Sequence, residues 1–228
     1  MNLEDLELNL KTKFNNKDLL TQALTHRSYL NENPNFHLDH NERLEFLGDA
    51  VLELVVTEYL YKNYTNPEGE LTAWRASLVN SKMLAIVGAE LGINDHLLLS
   101  KGESKDEGRA RQYIITNAME AIIGAIYLDK GYEDASVFIH NFILPKLGDI
   151  IEKELHKDAK SLFQELAQEK TGITPTYKVL KESGPDHDRS FIVGVFLSDE
   201  KYGEGEGMSK QEAQQAAAGS ALKNKGWK

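Results

Sequence analysis

Residues 41–56 read Asn41-Glu42-Arg43-Leu44-Glu45-Phe46-Leu47-Gly48-Asp49, continuing as Ala50-Val51-Leu52-Glu53-Leu54-Val55-Val56. Leu44, Leu47, Val51, Leu54 and Val55 recur at the period of a helix with one buried face. On that helix Glu42, Glu45 and Asp49 stand at i, i+3 and i+7, so the three carboxylates project from one side. Like charges stacked in this way repel by roughly 0.2–0.5 kcal/mol per exposed pair, and by more where water is shut out. A divalent cation with oxygen ligands would offset that repulsion, and magnesium is the usual partner of carboxylates at a phosphate-cleaving site. The bland alternative is a solvated acidic face. Against it, the apolar neighbours Leu44, Phe46, Leu47 and Val51 argue for a largely buried helix whose acids open on a cleft.

A second polar pair lies in Ile115-Thr116-Asn117-Ala118-Met119-Glu120-Ala121-Ile122-Ile123-Gly124. Asn117 and Glu120 are again i, i+3, here on an otherwise apolar helix. Polar groups in so apolar a segment need partners if they are buried. The acid face of the first helix, bridged by metal, would supply them. A di-iron bundle would carry Glu-x-x-His pairs, and neither helix has one.

Outward from these two segments, the first 155 residues keep helical spacing, as in Leu78–Leu84–Val87–Leu91, with turn formers at Asn31–Pro34, Asn66–Gly69, Gly102–Gly108 and Asp129–Gly131. A charged stretch near Glu152–Lys160 reads as a helix end passing into a linker. Beyond it comes a helix over Ser161–Lys170, then strand-like runs at Thr176–Lys181, Ser190–Leu197 and a short piece at Lys201–Tyr202. Ser183-Gly184-Pro185 and the Gly203, Gly205, Gly207 run are expected as turns, the latter a hairpin turn, since no Gly-Lys-Ser/Thr follows to make a phosphate loop. Ser209 and Glu212 form a capping box that opens a final helix. The expectation is an all-α domain over residues 1–152, a linker over 153–158 and a small α+β domain, α-β-β-β-α, over 159–228.

Composition narrows the function classes. The chain has 228 residues, no cysteine, and a net charge of −10. The absence of cysteine excludes disulfides, thiolate zinc sites, iron–sulfur clusters and cysteine nucleophiles. No apolar run reaches the ~20 residues of a membrane span, and the acidic start, MNLEDLELNL, is unlike a secretory signal peptide. A cytoplasmic protein with no membrane partner is expected. The charge is unevenly placed. From Ala159 onward 10 basic residues meet 10 acidic ones, so the whole −10 sits in the first 158 residues. Two bodies with different tasks are implied.

NERLEFLGDAVLELVV resembles the signature helix of the ribonuclease III endonucleases. NAMEAIIGAIYLD resembles their second metal-binding helix and PEGELTAWRASLVN their intervening stretch, while the α-β-β-β-α tail is similar to their double-stranded-RNA-binding domain. The resemblance covers nearly the whole chain in the family's order. It implies that Glu45, Asp49 and Glu120 hold Mg²⁺, with Mn²⁺ as a substitute, and activate water, Asp49 and Glu120 being the catalytic pair. Position 117 is part of the metal set. Glu42 and Glu68 are implied as accessory acids at the edge of the cleft, and Phe46 as part of a homodimer interface, although its ordinary reading is core. The family cuts each strand of a duplex once, leaving 5′-phosphates, 3′-hydroxyls and short 3′ overhangs, and trims ribosomal and messenger RNA precursors. No small-molecule cofactor is implied. His26, in Thr25-His26-Arg27, reads as structural. His37 and His40 read as loop residues.

Two departures stand out. Position 117 is normally Asp in bacterial members and is Asn here. An amide oxygen can ligate a hard cation but brings no charge. A working variant, a deliberately crippled chain and a non-cleaving RNA binder are the three readings, and the intact Glu42, Glu45, Asp49 and Glu120 favour a nuclease. In the RNA-binding half, duplex shape is read through the minor groove over about 16 bp. The resemblance assigns Gln164, Glu165 and Gln168 of the first helix and His187 of the following loop to that groove. Ser209 and Lys210, at the start of the last helix, are assigned to phosphate. Gln214 occupies a position that is often basic, which predicts weaker binding and a shallower salt dependence.

Overall fold

The computed structural model describes residues 3–105, 107–152, 158–184 and 189–227, and the chain divides into two compact units, Met1–His156 and Lys157–Lys228. The first is helical among its described residues and is organised around α4 (Glu42–Asn63) and α7 (Gly108–Lys130). These two pack against each other at the centre of the core. Leu52, Val55, Val56 and Leu60 of α4 meet Ala118, Met119, Ile122, Ile123 and Ile126 of α7, all essentially without solvent exposure. Burial of each large apolar side chain contributes about 2 kcal/mol.

Their crossing is set by two glycines. A Cβ added to Gly48 would lie 1.7 Å from the Glu120 carbonyl oxygen, and one added to Gly124 would lie 2.3 Å from the Leu44 carbonyl oxygen. The helices therefore touch backbone to backbone, which no larger residue permits. Around the pair lie α1 (Leu3–Asn9), α2 (Lys17–Ala23), α3 (Arg27–Glu32), α5 (Glu68–Val79), α6 (Ser81–Glu90), α8 (Tyr132–Phe142) and α9 (Leu147–Glu152). The Leu78–Leu91 run is two helices rather than one. Asn80 ends α5 and caps α6, its side chain accepting from the Met83 N–H at 2.9 Å.

The start of α4 is fixed from outside. Asn41 is buried, donates its Nδ2 to the Ala23 carbonyl (3.1 Å) and its backbone N–H to that of Thr25 (2.9 Å), and makes no side-chain cap. The Thr25 segment is bridged in turn to Leu98. His26 caps α3 through Nδ1, which the Ser28 N–H approaches at 3.3 Å.

The second unit contains α10 (Ala159–Thr171), β1 (Thr176–Ser183), β2 (Ser190–Leu197), β3 (Glu200–Gly207) and α11 (Lys210–Lys225), with an antiparallel sheet ordered β1-β2-β3. Phe163, Val193, Val195, Ala213, Ala217 and Ala221 form its core. One expectation is corrected here. The Gly203, Gly205, Gly207 run is not a turn but the inward face of β3, paired with Val195, Val193 and Phe191. A Cβ at these glycines would meet the α11 backbone at 2.5, 2.2 and 2.6 Å. The glycines let an alanine-lined helix lie directly on the strand. The Ser209 hydroxyl caps α11 at the Glu212 N–H (3.2 Å), while the Glu212 carboxylate reaches the Met208 N–H (3.0 Å).

Candidate active site and RNA-binding face

The Gly48–Gly124 contact puts one turn of α4 against one turn of α7, and the acids follow from it. Glu45 is half-buried, its Oε2 is buried without a hydrogen-bond partner, and burial first, then Glu42 and Asp49, raises its proton affinity. Across the crossing, the Glu120 carboxyl is pushed up to about 8, by burial first and then by Asp49 and Glu45. Glu45, Asp49 and Glu120 thus share one electrostatic neighbourhood. Among the described residues, no three or more acid or histidine side chains close into a ready-made metal cage. Asn117 lies one turn before Glu120 on α7, half-buried.

The other acids part company. Glu42 is half-exposed and engaged by Arg27 at 3.6 Å and His40 at 3.9 Å. Glu68 opens α5 and lines a cavity of about 700 Å³ with Thr57, Tyr61, Leu71 and Arg75. Thr57 is eight residues beyond Asp49, about 12 Å along α4, so the single chain does not bring Glu68 to the Glu45–Glu120 neighbourhood. Phe46 departs from the reading of α4 as a largely buried helix. Its side chain is 82% exposed, in line with Leu54 (57%) and Tyr61 (81%). The resemblance points to Phe46 alone of this stripe; Leu54, Tyr61 and the Gly48–Gly124 pair carry no such pointer in the sequence. The signal for the glycines was their cost of about 0.5–1 kcal/mol in a helix interior, which only a close approach repays.

In the second unit Gln164, Glu165 and Gln168 are exposed along α10 and line one shallow depression with Glu169. Gln168 is partly committed, since its Oε1 accepts from Thr174 (3.3 Å) and its Nε2 reaches the Gly172 carbonyl (3.5 Å). The Ser209 hydroxyl is spent on its cap, and the Lys210 ammonium lies 5.6 Å from the Phe191 ring centre. His187 falls outside the described residues.

A helical unit with carboxylates converging across a glycine crossing, followed by an α-β-β-β-α unit, defines a two-domain nucleic-acid enzyme rather than a simple binding module. The Ribonuclease-III-like family model matches residues 16–147, and the model of the double-stranded RNA binding motif matches residues 159–225. Ribonuclease 3 of Pelotomaculum thermopropionicum is 45% identical over 95% of this chain and 90% of its own length. Ribonuclease 3 of Bdellovibrio bacteriovorus is 44% identical over 97% and 95%. The solved nuclease domain of ribonuclease III from Campylobacter jejuni, with structural flexibility in a region involved in dimer formation, is 43% identical. It aligns with a TM-score of 0.57 over 63% of this chain and 97% of that one. The chain belongs to the ribonuclease III family, as an endoribonuclease-type enzyme whose second domain is a double-stranded RNA binding motif. Among the described residues no helix is long and apolar enough to cross a membrane.

Proposed function

We propose that this chain is a homodimeric, Mg²⁺-dependent endoribonuclease that cuts double-stranded RNA in the cytoplasm. Mn²⁺ serves as an alternative ion. Each site cuts one strand, leaving 5′-phosphate and 3′-hydroxyl ends with short 3′ overhangs, on precursors of ribosomal and messenger RNA. The observation that carries this reading is the α4–α7 crossing, with Glu45, Asp49 and Glu120 acting on one another's charge across it.

The residues fit a hard cation. The donors are all oxygen, Glu45 Oε2 is buried without a partner, and the charges bearing on Glu120 are both negative. Glu45, Asp49, Asn117 and Glu120 would hold Mg²⁺, which when bound stabilises charge on the phosphate and makes water a nucleophile near neutral pH. The chain's own part is positional. Glu120, half-buried, and Asp49, exposed beside it, orient the attacking water and accept its proton. Glu42, tied to Arg27 and His40, borders the site. No side-chain nucleophile is required. Asn117 supplies an oxygen without charge, so cation affinity is lower than with Asp in its place.

Dimerisation is supported by the stripe Phe46, Leu54, Tyr61, whose far end adjoins the Thr57–Arg75 cavity. A twofold pairing of α4 on α4 in opposite directions matches the Phe46 end of one copy to the cavity of the other. It also carries the other copy's Glu68 toward the acid end. The test is cleavage of a labelled RNA hairpin with Mg²⁺ or Mn²⁺ by this chain and by its Asn117→Asp and Glu120→Gln variants. Cleavage by the parent but not by Glu120→Gln is expected. Binding without cleavage by the parent, restored by Asn117→Asp, would instead identify a double-stranded-RNA-binding protein with a disarmed site.

A further inference from the structure

On the RNA-binding reading proposed above the start of α11 meets phosphate, and Gln214 stands at a position that the family resemblance makes often basic. The groove between α10 and the start of α11, about 550 Å³, holds a cation from elsewhere. Lys160 belongs to α10, yet its Nζ donates to Gln214 Oε1 at 2.8 Å and lies 5.2 Å from the centre of the Tyr177 ring of β1. Its backbone N–H donates to Gln215 Oε1 at 3.2 Å. Three elements thus fix one lysine, a side chain that gives up much rotamer freedom when ordered.

The charge so fixed is not neutralised. Among the described residues no carboxylate lies within ion-pair distance of Lys160. Asp158 lines the same groove, but its oxygens accept from the Ser161 N–H (2.7 Å) and from the Gln215 amide. Tyr177 offers no phenolate, since burial first and Asp158 second push its hydroxyl up to about 12. Lys210 and Gln211 line the groove beside Gln214. Because the Gln214 oxygen is occupied by Lys160, its amide NH₂ is left as a donor. Apart from the Asp158 carboxylate, whose oxygens are engaged by Ser161 and Gln215, the side chains at this lip suit an anion.

We propose that Lys160, carried by α10 and steered by Gln214, supplies the phosphate-binding cation that α11 lacks at position 214. The inference rests on the RNA-binding reading above and deepens it.

The experiment is equilibrium binding of a fluorescent RNA duplex of more than 20 base pairs to the full chain in EDTA, over a series of KCl concentrations. A lost phosphate contact lowers the slope of log K against log[salt] by about one. Lys160→Met should show that loss, with affinity down roughly 5–10-fold near 0.1 M salt. Gln214→Lys in the Lys160→Met background should restore the slope. If Lys160→Met melts early, Lys160→Gln, which keeps a donor for Gln214 without the charge, is read in its place. An unchanged slope, whether or not affinity falls, overturns the proposal and leaves Lys160 a packing residue. Failure of the parent chain to bind the duplex would overturn the RNA-binding reading itself, and this inference with it.

Discussion

Burial and the neighbouring Asp49 and Glu45 carboxylates hold the Glu120 proton up to about 8, against an ordinary 4.5. Below pH 4.5 the folded and unfolded chains are both protonated there, and Glu120 does not affect stability. Between 4.5 and 8 the unfolded chain releases a proton that the folded one keeps, so stability falls as pH rises, and above about 8 the loss is complete. In EDTA, the melting temperature of Glu120→Gln should therefore match the parent near pH 4.5 and exceed it at pH 8.5. Mg²⁺ should narrow the gap by stabilising only the parent. Parallel melting curves at all pH values would contradict the assigned environment. At position 117 the arithmetic has the opposite sign. Asn117→Asp adds a charge to an already repelling group, so it should lower metal-free stability while moving half-maximal cleavage to lower Mg²⁺, as read from a Mg²⁺ titration of hairpin cleavage.

At the scale of elements both units use one device, a glycine-bearing face against which another backbone lies. In the first it joins helix to helix at Gly48 and Gly124, and in the second strand to helix at Gly203, Gly205 and Gly207. A methyl at Gly205 would sit 2.2 Å from the Ala217 nitrogen, which is backbone and cannot swing aside. Gly205→Ala should cost the second unit about 1–3 kcal/mol or more, which for a unit of this size lowers its melting by roughly 4–8 °C per kcal/mol. Duplex binding should weaken with it. Calorimetry showing an unshifted second-unit transition would refute the contact. The same device explains what the sequence reading saw and missed. The period of α4 and α7 was visible because burial repeats every 3.6 residues, and with it came Glu45, Asp49 and Glu120. The sequence shows only the start of β3, at Lys201–Tyr202, and its glycines read as a turn, because glycine signals both a bend and a close approach and only the alanines of the following α11 distinguish them. From its apolar character alone Phe46 reads as core, because that character does not separate a buried face from one awaiting a partner; only the family resemblance points it to an interface.

Over the whole molecule two forces respond to salt in opposite directions. The first 158 residues carry the entire net charge of −10, so two copies meeting along α4 repel, and salt that screens them favours pairing. Phosphate binding releases counterions and weakens with the same salt. What must overcome the repulsion is apolar. Burying an exposed Phe46 contributes about 2 kcal/mol, and a twofold interface contains it twice, or roughly a thousandfold in dimer affinity. Phe46→Asp removes both contributions and adds two charges, so sedimentation should show a dimer for the parent and a monomer for the variant. The parent dimer should tighten between 0.05 and 0.3 M KCl while its hold on duplex RNA loosens. Cleavage then separates the roles of the two interfaces. A monomer retains its RNA-binding motif but presents one site, so duplex labelled on both strands should lose paired cuts first, leaving at most slow nicking of single strands. Paired cutting by a chain that sediments as a monomer would show that one copy reaches both strands, and the α4 stripe would then have no part in the reaction.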